Sequence, residues 1–289
     1  MPSPKSLPRI AIATCRTLPE PDPDEAALVG ALARAGAWVS LLAWDGDTPL
    51  PAPGEVDLVL VRSTWSYARN VDAFVTWLRA LGSRAKVANP VPVLLENVDK
   101  IYLRGLASRG IPIVPTAFVD RGDRRTLAAV REAHGFSEVV VKPRVSAGSW
   151  KTMRFSEGTP SAEEAFASLV AERDVMVQPY VASVDGHGER SIVVLEGRVS
   201  HAVRKSPRFS GDAEAVARVP VADDERAFAE RVLSSYSDLL YARVDVARDA
   251  SFGLLLMELE LLEPSLFFRE APEALPGFVQ AIVRRATVG

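Results

Sequence analysis

The sequence predicts an α/β protein built from more than one subdomain, and three observations predict it. Strand-like and helix-like segments alternate through the first part of the chain. Apolar strand-like runs carrying charged residues recur in the middle (VVVKP) and near the end (YARVDVARD and FGLLLMELELLE). The length of 289 residues exceeds what one simple core fills and suggests two or three subdomains.

Composition narrows the function classes. A hydrophobic content of 48% with 25% charged residues is that of a soluble globular protein. A net charge of −3 gives no reason to expect nucleic acid or an anionic membrane as partner. The single Cys15 rules out an internal disulfide framework and fits a reducing cytoplasm. The start, MPSPKSLPRIAIATC, is broken by prolines and reads as neither signal peptide nor spanning helix.

Three blocks follow, expected to span residues 1–94, 95–178 and 179–289. In the first, RIAIAT reads as a strand, and Asp24 is expected to cap a helix that stops at Gly36. WVSLLAW and DLVLVR read as strands. VDAFVTWLRAL reads as an amphipathic helix with Phe74, Trp77, Leu78 and Leu81 on one face. A small parallel sheet covered on both faces by helices is implied. Two prolines mark a boundary near Pro92.

The second block is expected to open with a helix from about Glu96 to Arg109, closed by Gly110. A helix near Thr126, the strand VVVK buried on both faces, the strand KTMRF, a helix over about 161–172 and the strand DVMVQPY follow. The third block opens with a hairpin turning at Glu196-Gly197, continues with a helix over about 223–236 and the two charged strands, and ends in an amphipathic helix.

Two constellations carry chemistry. Lys142 ends an apolar strand, Pro143 limits further pairing, and Ser146, Ala147, Gly148 and Ser149 are small enough for bare amides to approach a ligand. A phosphate site and an ordinary turn both fit that pattern. Near the end, strand alternation puts Glu258 and Glu260 on one face and Arg243 and Asp245 on one face of the preceding strand. Carboxylates in an apolar strand need a cation, and hard oxygen donors suit Mg²⁺. A solvent-facing sheet with Arg243 paired to Asp245 is the other reading. The P-loop pattern is absent, and GHGERS lacks the third glycine of a dinucleotide fingerprint.

Taken together, RVD at Arg243–Asp245, MELE at Met257–Glu260, VVKP, DKIYL and VQPY resemble the ATP-grasp ligases, from about Glu96 to the end. VRSTWSY, GERSIVV, VSHAVRK and LMELELLEPSLFF add a narrower resemblance to the branch of O-ureido-serine cyclo-ligase. The resemblance implies an ATP-grasp fold of the α+β grasp type, with the first block as a Rossmann-like pre-grasp domain. It implies ATP and Mg²⁺ as cofactors and a small amino-acid-type carboxylate as substrate, activated as an acyl phosphate for an amine or an internal nucleophile. Lys100, Lys142, Ser146, Gly148 and Ser149 would hold phosphates, while Gln178, Pro179 and Tyr180 would form the adenine hinge. Asp245, Glu258 and Glu260 would hold the metal. The family usually has Asn where this chain has Glu260, so the ligand set is open. Arg243 would stabilise the transferring phosphoryl group. The ligase branch often dimerises, so a homodimer is compatible with the resemblance. A catalytically silent nucleotide-binding scaffold or sensor and a small-molecule kinase are the alternatives on the same fold.

Counting outward from the hairpin turn sets Glu189 opposite Arg204. That pair is either structural or a carboxylate grip in which Arg204, with Lys205 nearby, holds the substrate and Glu189 orients it. Arg62, Thr64, Trp65 and Tyr67 follow a strand's carboxyl end, where open α/β sheets place ligands, and are candidates for substrate contact. His134, His187, His201 and Cys15 are expected to do no chemistry.

Overall fold

The computed structural model describes residues 7–207 and 215–288. The proline-broken start of the chain therefore lies partly outside the described residues. No helix among them is long and apolar enough to cross a membrane. The architecture is a mixed α/β arrangement of three sheets around one cleft.

The first sheet is parallel, in the order β2 (Trp38–Ala43), β1 (Arg9–Thr14), β3 (Leu58–Ser63), β4 (Val87–Ala88). The two-residue β4 was too short to be read as a strand. Helices α1 (Glu25–Arg34) and α2 (Val71–Gly82) pack on it, α2 through the fully buried Phe74, Leu78 and Leu81. Asp24 stands at the first turn of α1 but makes no side-chain cap. Its carboxylate instead accepts from the amides of Leu266 (2.7 Å), Phe267 (3.1 Å) and Phe268 (2.8 Å). Three converging amides offer a buried carboxylate more than one helix amide can.

The expected helix over 96–109 is two helices, α3 (Val91–Asn97) and α4 (Tyr102–Ser108). Pro92 lies in the first turn of α3, where its missing N–H costs nothing. In the break, the Asp99 carboxylate accepts from the Ile101 amide at 2.9 Å, and Lys100 turns inward.

The second sheet is antiparallel, in the order β5 (Ala117–Val119), β8 (Val175–Pro179), β6 (Val139–Pro143), β7 (Met153–Phe155). Helices α5 (Leu127–His134) and α6 (Ala162–Glu172) share a core with it. Thr126 caps α5 by accepting from the Ala129 amide. β6 is not buried on both faces. Val139 and Val141 enter that core, while Val140 and Lys142 are only partly covered and line the cleft. Pro143 still pairs with Val175 of β8, so it ends pairing on one side only.

After the short α7 (Ser183–Gly186) comes the third, antiparallel sheet. Its order is β11 (Val216–Val219), β10 (Arg198–Lys205), β9 (Glu189–Leu195), β12 (Tyr241–Asp249), β13 (Gly253–Glu260). The β9–β10 turn has φ of 49° at Glu196 and 74° at Gly197, both left-handed as a type I′ turn needs. Helix α8 (Asp223–Leu233) stops short of the expected Tyr236.

The register of this hairpin corrects the sequence reading. Leu195 faces Arg198 as expected, but a bulge between Val199 and His201 shifts the ladder by one residue. Arg204 therefore lies opposite Arg190, and Glu189 opposite Lys205. A one-residue slip swaps the faces of every later side chain.

Helix α9 (Leu275–Thr287) crosses back to the first sheet, and Phe278, Val279 and Ile282 share a core with Ile10, Leu28, Leu32 and Leu58. Buried asparagines tie the same regions together. Asn89 donates to the carbonyls of Tyr241 (2.8 Å) and Leu261 (2.9 Å) and accepts from the Leu240 amide (2.6 Å). Asn97 donates to the Leu259 carbonyl (2.8 Å) and accepts from the Leu261 amide (2.7 Å).

Candidate active site

The cleft lies where β6, the 146–149 loop, the end of β8, the β9–β10 hairpin and the β12–β13 pair meet, with Trp65 and Tyr67 reaching in from the first sheet. Alternation sets the chemistry of its floor. Val244, Val246, Leu259 and Leu261 are fully buried on one side of the third sheet, so Arg243, Asp245, Glu258 and Glu260 must point to the other, into the cleft. Asp245 stands opposite Glu258 in the ladder, and Arg243 opposite Glu260.

Glu258 is the meeting point of two lysines from different parts of the chain. Lys100 Nζ is 3.1 Å from one of its oxygens and Lys142 Nζ 3.9 Å from the other. Lys100 also donates to the Ser146 carbonyl at 2.7 Å, which anchors the small-residue loop. Burial raises the pKa of Glu258, but Lys100 and Lys142 outweigh it and hold the group below the ordinary carboxylate range. Burial also lowers the pKa of Lys142, and Lys100 pushes the same way against the pull of Glu258. Two ammonium groups around one carboxylate are primed to accept more negative charge.

Arg243 grips Asp245 through Nε at 2.9 Å and Nη2 at 2.8 Å, and Nη2 also donates to Glu260. Asp245 is 1% exposed; burial opposes its charge, but Arg243 and Lys205, the latter at 3.1 Å, hold its pKa low. Glu260 shares that arginine and is pushed up to about 7, chiefly by burial, with Asp245 and Glu258 repelling it. Glu189 sits 2.6 Å from Lys205 and is raised by burial.

Among the described residues, no group of three or more His, Cys, Asp or Glu side chains is placed to hold a metal ion. Each expected metal carboxylate is tied to a cation instead. The donor chemistry still fits a hard cation such as Mg²⁺. Glu258 and Glu260 keep side-chain exposures of 24% and 23% toward the cleft. Asp245, saturated by Arg243 and Lys205, is available only if those partners shift.

The loop residues Ser146, Gly148 and Ser149 line the cleft as expected, and Gly148 and Ser149 both adopt left-handed φ, at 58° and 57°. Gln178, Pro179 and Tyr180 also line it. Gln178 donates to Thr116 at 2.8 Å, the Tyr180 amide donates to the Glu138 carbonyl at 2.8 Å, and the Tyr180 ring lies 3.4 Å beneath the Arg154 guanidinium.

Four expectations need correction. Arg204 is exposed, donates to the Gly186 carbonyl at 2.7 Å and does not line the cleft; the bulge gives its place to Lys205. Glu189 accordingly orients Lys205, not an arginine. Arg62 is 2% exposed and faces inward, 3.7 Å from Asp24 and 5.5 Å from the centre of the Tyr241 ring. Thr64 is fully buried beside it in sequence and also lies off the cleft wall. Trp65 does line the cleft, and its indole N–H donates to the Glu263 carbonyl at 3.1 Å.

His201, 3% exposed, has Nε2 2.8 Å from the Leu266 carbonyl, and Cys15 is buried against Ser63. Neither lines the cleft. Several cleft residues escaped the sequence reading, among them Glu20, Thr152, Ser265 and Glu263. Glu263 lies beyond the end of β13, where alternation no longer says which way a side chain points. Its carboxyl is raised to about 8, chiefly by burial, with Glu260 repelling it and Lys100 pulling the other way from longer range.

Known proteins resemble this chain in sequence and fold. Residues 10–89 match the family described as D-cycloserine synthetase DcsG, N-terminal domain. The chain is 31% identical over 253 residues to the cycloserine biosynthesis protein DcsG of Streptomyces lavendulae, covering 79% of this chain and 83% of the relative. The crystal structure of D-cycloserine synthetase DcsG superposes with a TM-score of 0.86 at 28% identity, over 96% of this chain and 100% of that one. D-alanine–D-alanine ligase of Bacillus anthracis in complex with ATP superposes with a TM-score of 0.71 over 97% of both chains, at 13% identity.

Proposed function

Because the chain belongs to the DcsG family of ATP-grasp carboxylate–amine ligases, we propose that it activates the carboxylate of a small amino acid with ATP and closes a ring by attack of the substrate's own nitrogen. The observation that carries this reading is the convergence of Lys100 and Lys142 on Glu258 from different parts of the chain.

The chain's residues divide the work as follows. Lys100 and Lys142 neutralise phosphate oxygens in a site that excludes water, with the amides of the 146–149 loop beside them. The substrate carboxylate oxygen attacks the terminal phosphorus, the bond to the bridging oxygen breaks, and ADP leaves. Arg243 and Lys205, already placed side by side around Asp245, stabilise the negative charge of the acyl phosphate. Nitrogen then attacks the acyl carbon, and phosphate departs with the former carboxylate oxygen. Glu258 and Glu260, with Asp245 behind them, would hold Mg²⁺, which would supply positive charge to offset that of the phosphates. The protein's own part is placement and charge neutralisation.

The test is ADP release and hydroxamate formation with O-ureido-serine in the presence of hydroxylamine. Substrate-dependent ADP with a trapped hydroxamate is expected, because only an acyl phosphate yields one. ADP release without hydroxamate would point to a kinase, and nucleotide binding without turnover to a silent scaffold.

The hairpin register makes a separate prediction for the same assay. Arg204→Ala is expected to leave kcat/KM within about threefold, and Lys205→Ala to lower it by about 10²-fold, the usual cost of one preorganised donor. The opposite ranking would restore Arg204 to the site.

A further inference from the structure

Among the described residues, the cleft's cations have acidic partners, and one cleft carboxyl, that of Glu263, stands in no ion pair. Lys100 and Lys142 meet Glu258, Lys205 meets Glu189 and Asp245, and Arg243 meets Asp245 and Glu260. Glu263, 8% exposed and lining the same cleft, forms no ion pair among the described residues, and Lys100 acts on it only from a longer range. Its carbonyl accepts from the Trp65 indole N–H at 3.1 Å, and the side chains of Trp65 and Tyr67 line the same cleft. Burial leaves Glu263 favouring its protonated form in the empty cleft, and a cation arriving beside it would favour the carboxylate and pair with it. A carboxylate flanked by aromatic faces is also the environment that recognises an ammonium group.

We propose that Glu263 receives the α-ammonium group of the substrate and so makes the cleft select an amino acid over the corresponding simple carboxylic acid. The assignment rests on the ligase reading above and adds the residue that sets its substrate class. In an amino acid the ammonium is one carbon away from the reacting carboxylate. Glu263 lines the same cleft as the Arg243–Lys205 pair, so one cleft offers a carboxyl for the ammonium and cations for the reacting carboxylate.

The test compares O-ureido-serine with its deaminated counterpart, 3-(ureidooxy)propanoate, in wild-type protein and Glu263→Gln, reading ADP release. The glutamine keeps the side chain's shape, and the Glu263 carbonyl that holds Trp65 is untouched. Wild-type kcat/KM should favour the ammonium-bearing compound by about 10²-fold, the scale for losing one partner of a desolvated charge pair. In Glu263→Gln that preference should collapse, mostly through KM, with a loss for the deaminated compound at least about tenfold smaller. Calorimetry should find MgATP bound equally well by both proteins.

Wild-type protein that does not discriminate the two compounds overturns the assignment. So does a variant that loses activity equally with both, or whose magnesium dependence shifts, since Glu263 would then serve the fold or the metal. Absence of ADP release by wild-type protein with either compound is a different failure, because it removes the ligase reading itself.

Discussion

Glu258→Gln is expected to lower substrate-dependent ADP formation by about 10³-fold while the protein remains folded. The carboxylate is the one group between Lys100 and Lys142, at 3.1 and 3.9 Å. Without its charge the repulsion between the two ammonium groups is offset at Lys142 only by the weaker pull of Glu189 and Asp245. Lys142, already depressed by burial and by Lys100, loses its main counterweight. On the proposed assignment, the variant would remove a metal donor and weaken a phosphate-binding cation in one step. The fold should survive because Glu258 faces the cleft, while its neighbour Leu259 faces the core. ADP release and a circular dichroism melt measured on one preparation check both halves. Near-normal turnover would remove Glu258 from the site, and a collapsed melt would make it a structural residue.

Arg243→Met should have the largest effect on stability, a loss of about 3–5 kcal/mol, the range for removing one partner of a buried ion pair. Arg243, 7% exposed, is the shared partner of Asp245 and Glu260, and it also donates to the Ser265 carbonyl at 3.4 Å. Methionine fills much of the volume but leaves two carboxylates facing each other with Lys205 as the remaining close cation. Urea unfolding should show a lower midpoint with little change in slope. Arg243→Lys should recover part of the stability but little of the turnover, because an ammonium cannot hold two carboxylates with the same fork geometry. A loss below about 1 kcal/mol would mean that the two carboxylates are neutralised by other groups.

The floor of the cleft was legible in the sequence because a strand's period of two is rigid: Arg243, Asp245, Glu258 and Glu260 could be placed on a common side by counting. The same counting failed at Arg204, because one bulge residue inside β10 leaves no mark in the pattern VSHAVRK. The three valines of β6 read as doubly buried because apolar composition does not say which face carries a ligand. Lys100 lines the cleft, but it falls in a break between α3 and α4 where one helix was expected, and its contacts with Ser146 and Glu258 are far away in the sequence and so invisible to a local pattern. Asp24 follows the same logic: its local role as a helix cap yields to amides near the other end of the chain. Arg62 stands at a strand's carboxyl end, but its side chain turns back toward Asp24 and Tyr241.

The return of α9 to the first sheet has a consequence for biosynthesis. Ile10, Leu28, Leu32 and Leu58 leave the ribosome early, but the apolar surface that covers them, at Phe278, Val279 and Ile282, emerges only after the other two sheets. At ordinary elongation rates the nascent protein carries that bare patch for roughly 10–40 s. Chaperone demand during translation should therefore be set by the final helix, and a stop codon just before it would leave a sticky, degradation-prone fragment in place of a smaller enzyme.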